Sequence, residues 1–178
     1  MRVLIIDDEM AVHEAYRQCL ETSARSAADT SLEAMAASLF ADSSADTVSK
    51  EPLPSFECTF ASQGLEGVAL VEKSLTERHP FHVAFIDVRM PPGIDGKETA
   101  KRIRALDPEI NIVIVSAYSD HGVTDIARVA GPPDKIFYIS KPFTADEVCQ
   151  MATALCWTQQ AIGGPVTRAA RANRSRRS

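Results

Sequence analysis

Short apolar runs recur along the chain, and each ends at a charged or hydroxyl side chain. Four of these runs are continuous and cover residues 3–6, 83–86, 112–115 and 136–139. Continuous apolar runs of this length, each followed by a helix-length segment, are typical of strands buried on both faces of a parallel sheet. The pattern therefore predicts an α/β protein built around such a sheet.

The rest of the pattern supplies a fifth strand and the connecting helices. The added strand, second in chain order, covers residues 57–61, and the last helix opens with Thr144 and Glu147 at the spacing of a capping box. A Gly-Pro-Pro run at 131–133 breaks the chain before the last strand. Five strands alternating with five helices predict a doubly wound sheet. The predicted helices cover about residues 11–20, 65–78, 96–106, 120–130 and 144–157.

Residues 23–55 interrupt this alternation between helix 1 and strand 2. The segment is rich in Ala, Ser and Asp and ends in a proline-containing stretch, as linkers do. Within it, Thr30 and Glu33 have capping-box spacing and apolar residues recur at helical spacing, which predicts a short amphipathic helix. This helix either packs on its own domain or docks a partner or a second copy. The apolar positions are Leu32, Met35, Ala36, Leu39 and Phe40.

Length and charge set the predicted domain organisation. A chain of 178 residues with 45% hydrophobic and 24% charged residues is typical of one globular domain. The net charge is −5, and removing the five arginines of the acid-free final stretch leaves −10 for residues 1–157. We therefore predict a folded domain over residues 1–157, including the insertion, and a disordered Arg-rich tail over residues 158–178.

Cysteine spacing and hydropathy favour a cytoplasmic protein. The cysteines have no C-x-x-C spacing, no secretory signal precedes the first strand, and no apolar stretch reaches the roughly 20 residues that span a bilayer. We expect reduced thiols and no membrane span. The glycine-rich motifs that bind nucleotide phosphates are also absent from the sequence. The cysteines are Cys19, Cys58, Cys149 and Cys156.

The polar residues at the strand ends form one predicted site. Asp7 and Asp8 follow the first run, Asp87 follows the third strand, Ser116 the fourth, and Lys141 the fifth. The carboxyl ends of parallel strands meet at one edge of the sheet. Clustered carboxylates repel one another unless a cation neutralises them, and an all-oxygen site with few protein ligands suits Mg²⁺. The lysine and the hydroxyl beside it indicate phosphate.

Four motifs occur along the chain in the order IIDDE, FIDVRMPPGIDG, IVIVSAY and ISKPF. With this order and spacing, the sequence resembles the receiver domain of two-component response regulators over about residues 2–157, except for the insertion. The subtype it resembles carries MPPG-x-DG in place of a shorter loop and has an insertion before strand 2. The resemblance implies a flavodoxin-like sheet with strand order 2-1-3-4-5. It also implies a phosphoacceptor signalling domain rather than an enzyme.

The resemblance assigns roles to the acidic residues. It implies that Asp87 accepts the phosphoryl group. Asp8 and Asp87 would bind Mg²⁺ directly, Asp7 would act largely through water, and the backbone carbonyl of Arg89 would complete the protein ligands. Two adjacent acids beside a buried strand are costly to crowd without a cation, which agrees with a metal site.

The resemblance also assigns a phosphoryl-contacting set and a switch. Lys141 would contact the phosphoryl oxygens, and a cis bond to Pro142 would turn its ammonium into the crevice. Ser116 would hydrogen-bond the attached phosphoryl group. Tyr138 matches the aromatic residue that moves between outward and inward positions.

These assignments predict a single-domain response regulator. It would take a phosphoryl group from a sensor histidine kinase or a histidine phosphotransfer protein, and then switch contacts with a downstream protein or relay the group. A fragment of a larger signalling protein and a homodimer remain open alternatives. Nucleic-acid contact through the tail is disfavoured by the acidic body. A phosphatase with D-x-D after strand 1 does not fit, because here the two acids are adjacent and the candidate nucleophile follows strand 3.

Overall fold

A five-stranded parallel sheet forms the centre of the molecule, with strand order β2-β1-β3-β4-β5. This confirms the predicted fold class and strand order. The computed structural model describes residues 1–20, 55–117, 126, 128 and 130–163, with side chains up to residue 157. The strands are β1 (Arg2–Ile6), β2 (Glu57–Ala61), β3 (Val83–Asp87), β4 (Asn111–Ala117) and β5 (Ile136–Lys141).

The helices follow the strands as the alternation predicted. Their described extents are α1 (residues 10–20), α2 (Gly64–Thr76), α3 (Gly96–Leu106), α4 (residues 126, 128 and 130) and α5 (Ala145–Gly163). Most of the predicted insertion, with its amphipathic helix, and the chain beyond Gly163 lie outside the described residues. Both therefore stay predictions.

Several element ends differ from the predicted ones. Helix α5 runs to Gly163 rather than stopping near Trp157, because the intervening sequence holds no helix breaker before the Gly-Gly-Pro run at 163–165. Strand β3 continues to Asp87, β4 to Ala117 and β5 to Lys141, because these residues still pair across the sheet. The polar residues expected just after these strands therefore lie within them.

Both faces of the sheet are covered, which explains the continuous apolar runs. Side chains alternate between faces along a strand, so Leu4 and Ile6 belong to one buried cluster and Val3 and Ile5 to the other. The first cluster packs against α2, α3 and α4, and the second against α1 and α5. The carboxyl ends of the strands are left as the edge where polar groups can collect.

Side-chain caps fix the starts of two helices beside that edge. Asp95 accepts a hydrogen bond from the Glu98 backbone N–H at 2.8 Å, which starts α3 directly after the loop that follows β3. At α5, the Glu147 carboxylate accepts from the Thr144 N–H at 2.7 Å, and the Glu147 N–H donates to the Thr144 hydroxyl at 3.3 Å. The predicted capping box is confirmed.

A buried arginine, Arg104, connects the ends of several helices and strands through hydrogen bonds. The Arg104 side chain is 9% exposed and donates hydrogen bonds to main-chain carbonyls in three separate segments. Burial lowers the pKa of its guanidinium, partly offset by Asp107 and two other acids. This group, named here the Arg104 clamp, ties the end of α3 to the last described residue of α4 and to the start of β5. The acceptors are Asp107, Pro108, Ile110, Ala130 and Lys135.

Candidate functional site

The strand register brings the predicted polar residues to one edge. Ile6 of β1 pairs with Ile86 of β3, so Asp7, just after β1, lies beside Asp87, the last residue of β3. Asp87 pairs with Val115 in β4, and Ala117 pairs with Lys141 in β5. Residues far apart in the sequence therefore meet at the carboxyl ends of four adjacent strands.

Three carboxylates form a tight cluster at this edge. Asp7, Asp8 and Asp87 each offer an oxygen, and these atoms all lie within 4.8 Å of one another. Asp7 is 1% exposed and Asp87 is 6% exposed, whereas Asp8 is half-buried. Within the described part of the chain, Asp8 makes no hydrogen bond or ion pair, so its carboxylate remains available to a ligand.

Lys141 bridges the two buried carboxylates. Its Nζ lies 2.8 Å from Asp7 Oδ2 and 2.8 Å from Asp87 Oδ1. The other oxygens accept from the backbone: the Glu9 N–H donates to Asp7 Oδ1 at 2.9 Å, and the Arg89 N–H to Asp87 Oδ2 at 3.0 Å. Both carboxylates are thus held in fixed orientations.

Burial and the lysine act in opposite directions on the acid–base properties of the site. Burial raises the pKa of Asp87, although its hydrogen bond to Lys141 works against this rise. For Lys141, burial alone lowers the pKa of the ammonium, but hydrogen bonds to Asp7 and Asp87 outweigh it and the pKa is raised. Lys141 therefore stays charged at neutral pH.

The donor set fits a magnesium ion. Three ionised carboxylates and one ammonium leave a local charge of about −2, which a divalent cation balances. All the acidic ligand atoms are hard oxygens, and Mg²⁺ uses only a few protein carboxylates while keeping several waters. Asp8, whose side chain has no partner among the described residues, is the least constrained of the three acidic side chains.

The predicted switch residues lie on β4 and β5. Ser116 is 8% exposed and pairs across the sheet with Ser140. Tyr138 is 39% exposed, so its ring faces outward in this structure. The Lys141–Pro142 peptide bond is cis, as the resemblance implied. These positions bring both predicted phosphoryl-contacting residues, Ser116 and Lys141, to the same end of the sheet as Asp87.

The loop after β3 is held close to Asp87. The Gly96 N–H donates to the Val88 carbonyl at 2.9 Å, and the Gln63 amide donates to the Pro91 carbonyl at 3.3 Å. A Cβ added to Gly96 would lie 2.3 Å from the Asp87 carbonyl oxygen, so only glycine permits this approach. The MPPG-x-DG loop is therefore packed against the strand that carries Asp87.

Sequence reasoning missed a buried tyrosine beneath this edge. Tyr16 on α1 is 1% exposed, and its ring centroid lies 5.2 Å from that of Phe85 and 5.0 Å from that of Phe143. Burial, then the charges of Asp7 and Asp87, raise its pKa, so the hydroxyl stays neutral. Tyr16 therefore packs between Phe85, two residues before Asp87, and Phe143, two residues after Lys141. The helical spacing of α1 was the signal that could have located it.

A family model for the response regulator receiver domain matches residues 53–153. The chain belongs to this receiver family. The matched range holds β2 to β5, while β1 and its acidic pair lie before it, across the insertion. Receiver domains are the signalling modules of response regulators in two-component systems, and they bind Mg²⁺ at an acidic pocket. The resemblance carried by the four motifs is thereby confirmed.

Relatives in bacteria extend the same likeness. This receiver is 27% identical over 103 residues to the sporulation initiation phosphotransferase F of Bacillus subtilis, covering 58% of this chain and 73% of that protein. It is 34% identical over 90 residues to the chemotaxis protein CheY of Listeria monocytogenes, covering 51% and 68%. A match to the C4-dicarboxylate transport regulator DctD of Rhizobium meliloti, 36% identical over 39% of this chain, covers 14% of that longer protein.

Solved structures share the fold. A CheY-like receiver domain protein from Methanospirillum hungatei superposes with a TM-score of 0.62 at 20% identity, covering 90% of this chain and 96% of that one. The receiver domain of AraT from Geobacillus stearothermophilus gives 0.61 at 18% identity, covering 92% and 98%. No helix in the described ranges is both long and apolar enough to cross a bilayer.

Proposed function

We propose that this receiver accepts a phosphoryl group on Asp87 from a sensor histidine kinase or a histidine phosphotransfer protein. The observation that carries the proposal is the Asp87 carboxylate, held at the end of β3 within 4.8 Å of two further carboxylates and 2.8 Å from the Lys141 ammonium. A fixed nucleophile beside positive charge is what phosphoryl transfer requires, since its catalysis is mostly positioning and electrostatics.

In the proposed step, an Asp87 carboxylate oxygen attacks the phosphorus of a phosphohistidine. The new P–O bond forms as the P–N bond breaks, and the electron pair leaves with the imidazole nitrogen. Lys141 balances charge on the phosphoryl oxygens, while the Arg89 N–H keeps the carboxylate aligned. Asp7, Asp8, Asp87 and the Arg89 carbonyl would hold Mg²⁺, which when bound supplies further positive charge to those oxygens.

The proposed response to phosphorylation involves β4 and β5. The Ser116 hydroxyl would donate to the attached phosphoryl group, and the exposed Tyr138 ring would turn inward to follow it. This change would alter the surface offered to a downstream protein, or the group would pass onward in a relay. We place the protein in the cytoplasm, where such kinases expose their phosphohistidines. The names of the Bacillus and Listeria relatives, a phosphotransferase and a chemotaxis protein, support both kinds of output.

Metal removal tests the proposal directly. Incubation of the purified protein with acetyl phosphate and Mg²⁺ should add one phosphoryl group of about 80 Da, because an acyl phosphate carries enough free energy to need no nucleotide. EDTA should prevent the addition. Intact-protein mass spectrometry measures both states, and equal labelling with and without EDTA would contradict the proposed Mg²⁺ dependence.

Replacing Asp8 by alanine should remove Mg²⁺ binding without destabilising the apo fold. Asp8 has no partner among the described residues, and its loss relieves repulsion from Asp7 and Asp87. Wild-type protein should gain about 1.4 kcal/mol at a Mg²⁺ concentration ten times its Kd, whereas Asp8→Ala should gain nothing. Thermal melts with and without Mg²⁺ measure this difference.

Asp7→Ala is the matched comparison. Asp7 accepts from both Lys141 and the Glu9 N–H, so this variant should melt below wild type by an amount equivalent to about 1–3 kcal/mol. An apo Asp8→Ala protein that melts as low as Asp7→Ala would show that Asp8 has a structural role.

A further inference from the structure

Two cysteines from opposite ends of the sequence meet between α1 and α5. The Cys149 thiol donates a hydrogen bond to the Cys19 carbonyl oxygen, with an Sγ–O distance of 2.9 Å. The residues are 130 positions apart, and both are half-buried thiols. This contact lies on the helices that cover one face of the sheet, away from the carboxylate cluster at its edge.

The contact limits how far apart the two side chains can be. A carbonyl oxygen lies about 2.4 Å from the Cα of its own residue, so the Cys149 sulfur is no more than about 5.3 Å from the Cys19 Cα. A cysteine sulfur lies about 2.8 Å from its own Cα, so the two Cα atoms are at most about 8 Å apart, whereas disulfides join Cα atoms about 4.4–6.8 Å apart. A disulfide therefore needs side-chain rotation and an approach of the two helices by no more than a few ångströms. The Cys149 thiol is also close enough to raise the pKa of Cys19, after the larger effect of burial.

The other two cysteines differ in position. Cys58 lies on β2, at the edge of the sheet. Cys156 is 0% exposed, and burial raises its pKa to about 11, which makes it a poor nucleophile. These residues serve as internal controls for thiol chemistry at the α1–α5 contact.

We propose that Cys19 and Cys149 form a redox-active pair that a low-molecular-weight disulfide converts to an intramolecular disulfide. One thiolate attacks a sulfur of the small disulfide, forming a mixed disulfide and releasing one small thiolate. The second cysteine thiolate then displaces the other small thiolate. The two protons lost by the cysteines go to the two released thiolates, and the small disulfide takes up both electrons.

The bond would tie α1 to α5 covalently. Helix α5 and β5 line a groove of about 520 Å³ that includes Tyr138 and Met151. Formation of the disulfide would thereby fix the position of α5, which forms one wall of this groove, relative to α1. The raised pKa of Cys19, caused by burial, by Cys149 and also by Asp146, makes exchange slow near neutral pH.

The experiment is a redox titration of the full-length protein with mixtures of oxidised and reduced glutathione at about pH 8, where more thiolate is present. Intact-protein mass spectrometry should find a mass about 2 Da below that of the reduced protein, because the disulfide forms with the loss of two hydrogens. Non-reducing tryptic digestion should then yield a cross-linked peptide pair that contains Cys19 and Cys149. The cross-link should persist in Cys58→Ser and Cys156→Ser. Cys156→Ser is essential, because Cys149 and Cys156 share one tryptic peptide.

The single variants separate this pair from general thiol reactivity. Cys19→Ser and Cys149→Ser should stop at the mixed disulfide with glutathione and give no intramolecular link. A cross-link that survives in Cys149→Ser would overturn the assignment. Wild-type protein in which Cys19 and Cys149 acquire only separate glutathione adducts would also overturn it, and that readout requires no variant to fold.

Discussion

Asp87→Asn should abolish phosphorylation by acetyl phosphate and by any kinase that phosphorylates the wild-type protein. The amide is no longer an oxyanion nucleophile, and no acyl phosphate can form on it. The fold should survive, because burial already disfavours the Asp87 charge and Lys141 keeps its ion pair with Asp7. Intact-protein mass spectrometry should show the addition of about 80 Da in wild type and none in the variant.

Asp95→Asn is the matched control. Asp95 lies in the loop between β3 and α3, close in sequence to Asp87. Its side chain caps α3, a role that asparagine performs nearly as well. This variant should be phosphorylated as wild type is. Equal labelling of wild type and Asp87→Asn would reject Asp87 as the acceptor, and loss of labelling only in Asp95→Asn would move the assignment to that residue.

Among the single substitutions proposed for this protein, Arg104→Met should cause the largest loss of folding stability. Methionine fills a similar volume but leaves the carbonyls of the Arg104 clamp without their donor in a buried environment. Hydrogen bonds to charged groups contribute about 1.5–3 kcal/mol each, so a total loss of at least about 3 kcal/mol is expected. For a chain of this size that corresponds to a fall in Tm of roughly 6–12 °C.

Arg102→Met tests whether this effect belongs to the clamp. Arg102 lies on the same helix, is exposed, and pairs only with Glu98 among its described contacts, at 2.7 Å. Exposed pairs of this kind contribute about 0–1 kcal/mol, so the melting temperature should change little. Thermal and urea unfolding of both variants supply the comparison, and similar losses in the two would show that the buried hydrogen bonds are not responsible.

The sheet and its polar edge were predictable because a simple pattern encodes them. A parallel strand covered on both faces must be apolar throughout, so a polar residue at its end is conspicuous. Asp87 and Lys141 could be placed at one edge of the sheet, since strand ends align in a parallel sheet, and the strand order implied by the resemblance placed them near each other. The same pattern predicted the acidic cluster before any distance was known.

Other features depend on contacts that no local pattern encodes. The Arg104 clamp joins acceptors from the α3–β4 turn, α4 and the turn before β5, and in the sequence Arg104 is one of several basic residues on α3. Tyr16 could be placed on the inner face of α1 by periodicity, but its position between Phe85 and Phe143 follows only from how α1 packs. The end of α5 was placed too early, although no helix breaker precedes the Gly-Gly-Pro run at 163–165.

The positive charge of the site comes from the outermost strand on one side of the sheet. Lys141 ends β5, whose strand neighbour among the described residues is β4, and Lys141 lies 134 positions beyond the Asp7 carboxylate that it contacts. During synthesis, the carboxylates therefore emerge long before their counter-charge. A nascent or clipped chain lacking β5 would keep Asp87 and lack the Lys141 ammonium beside it. Reactivity toward phosphodonors should consequently appear only in chains that have docked their final strand, so it can serve as a chemical record of completed folding.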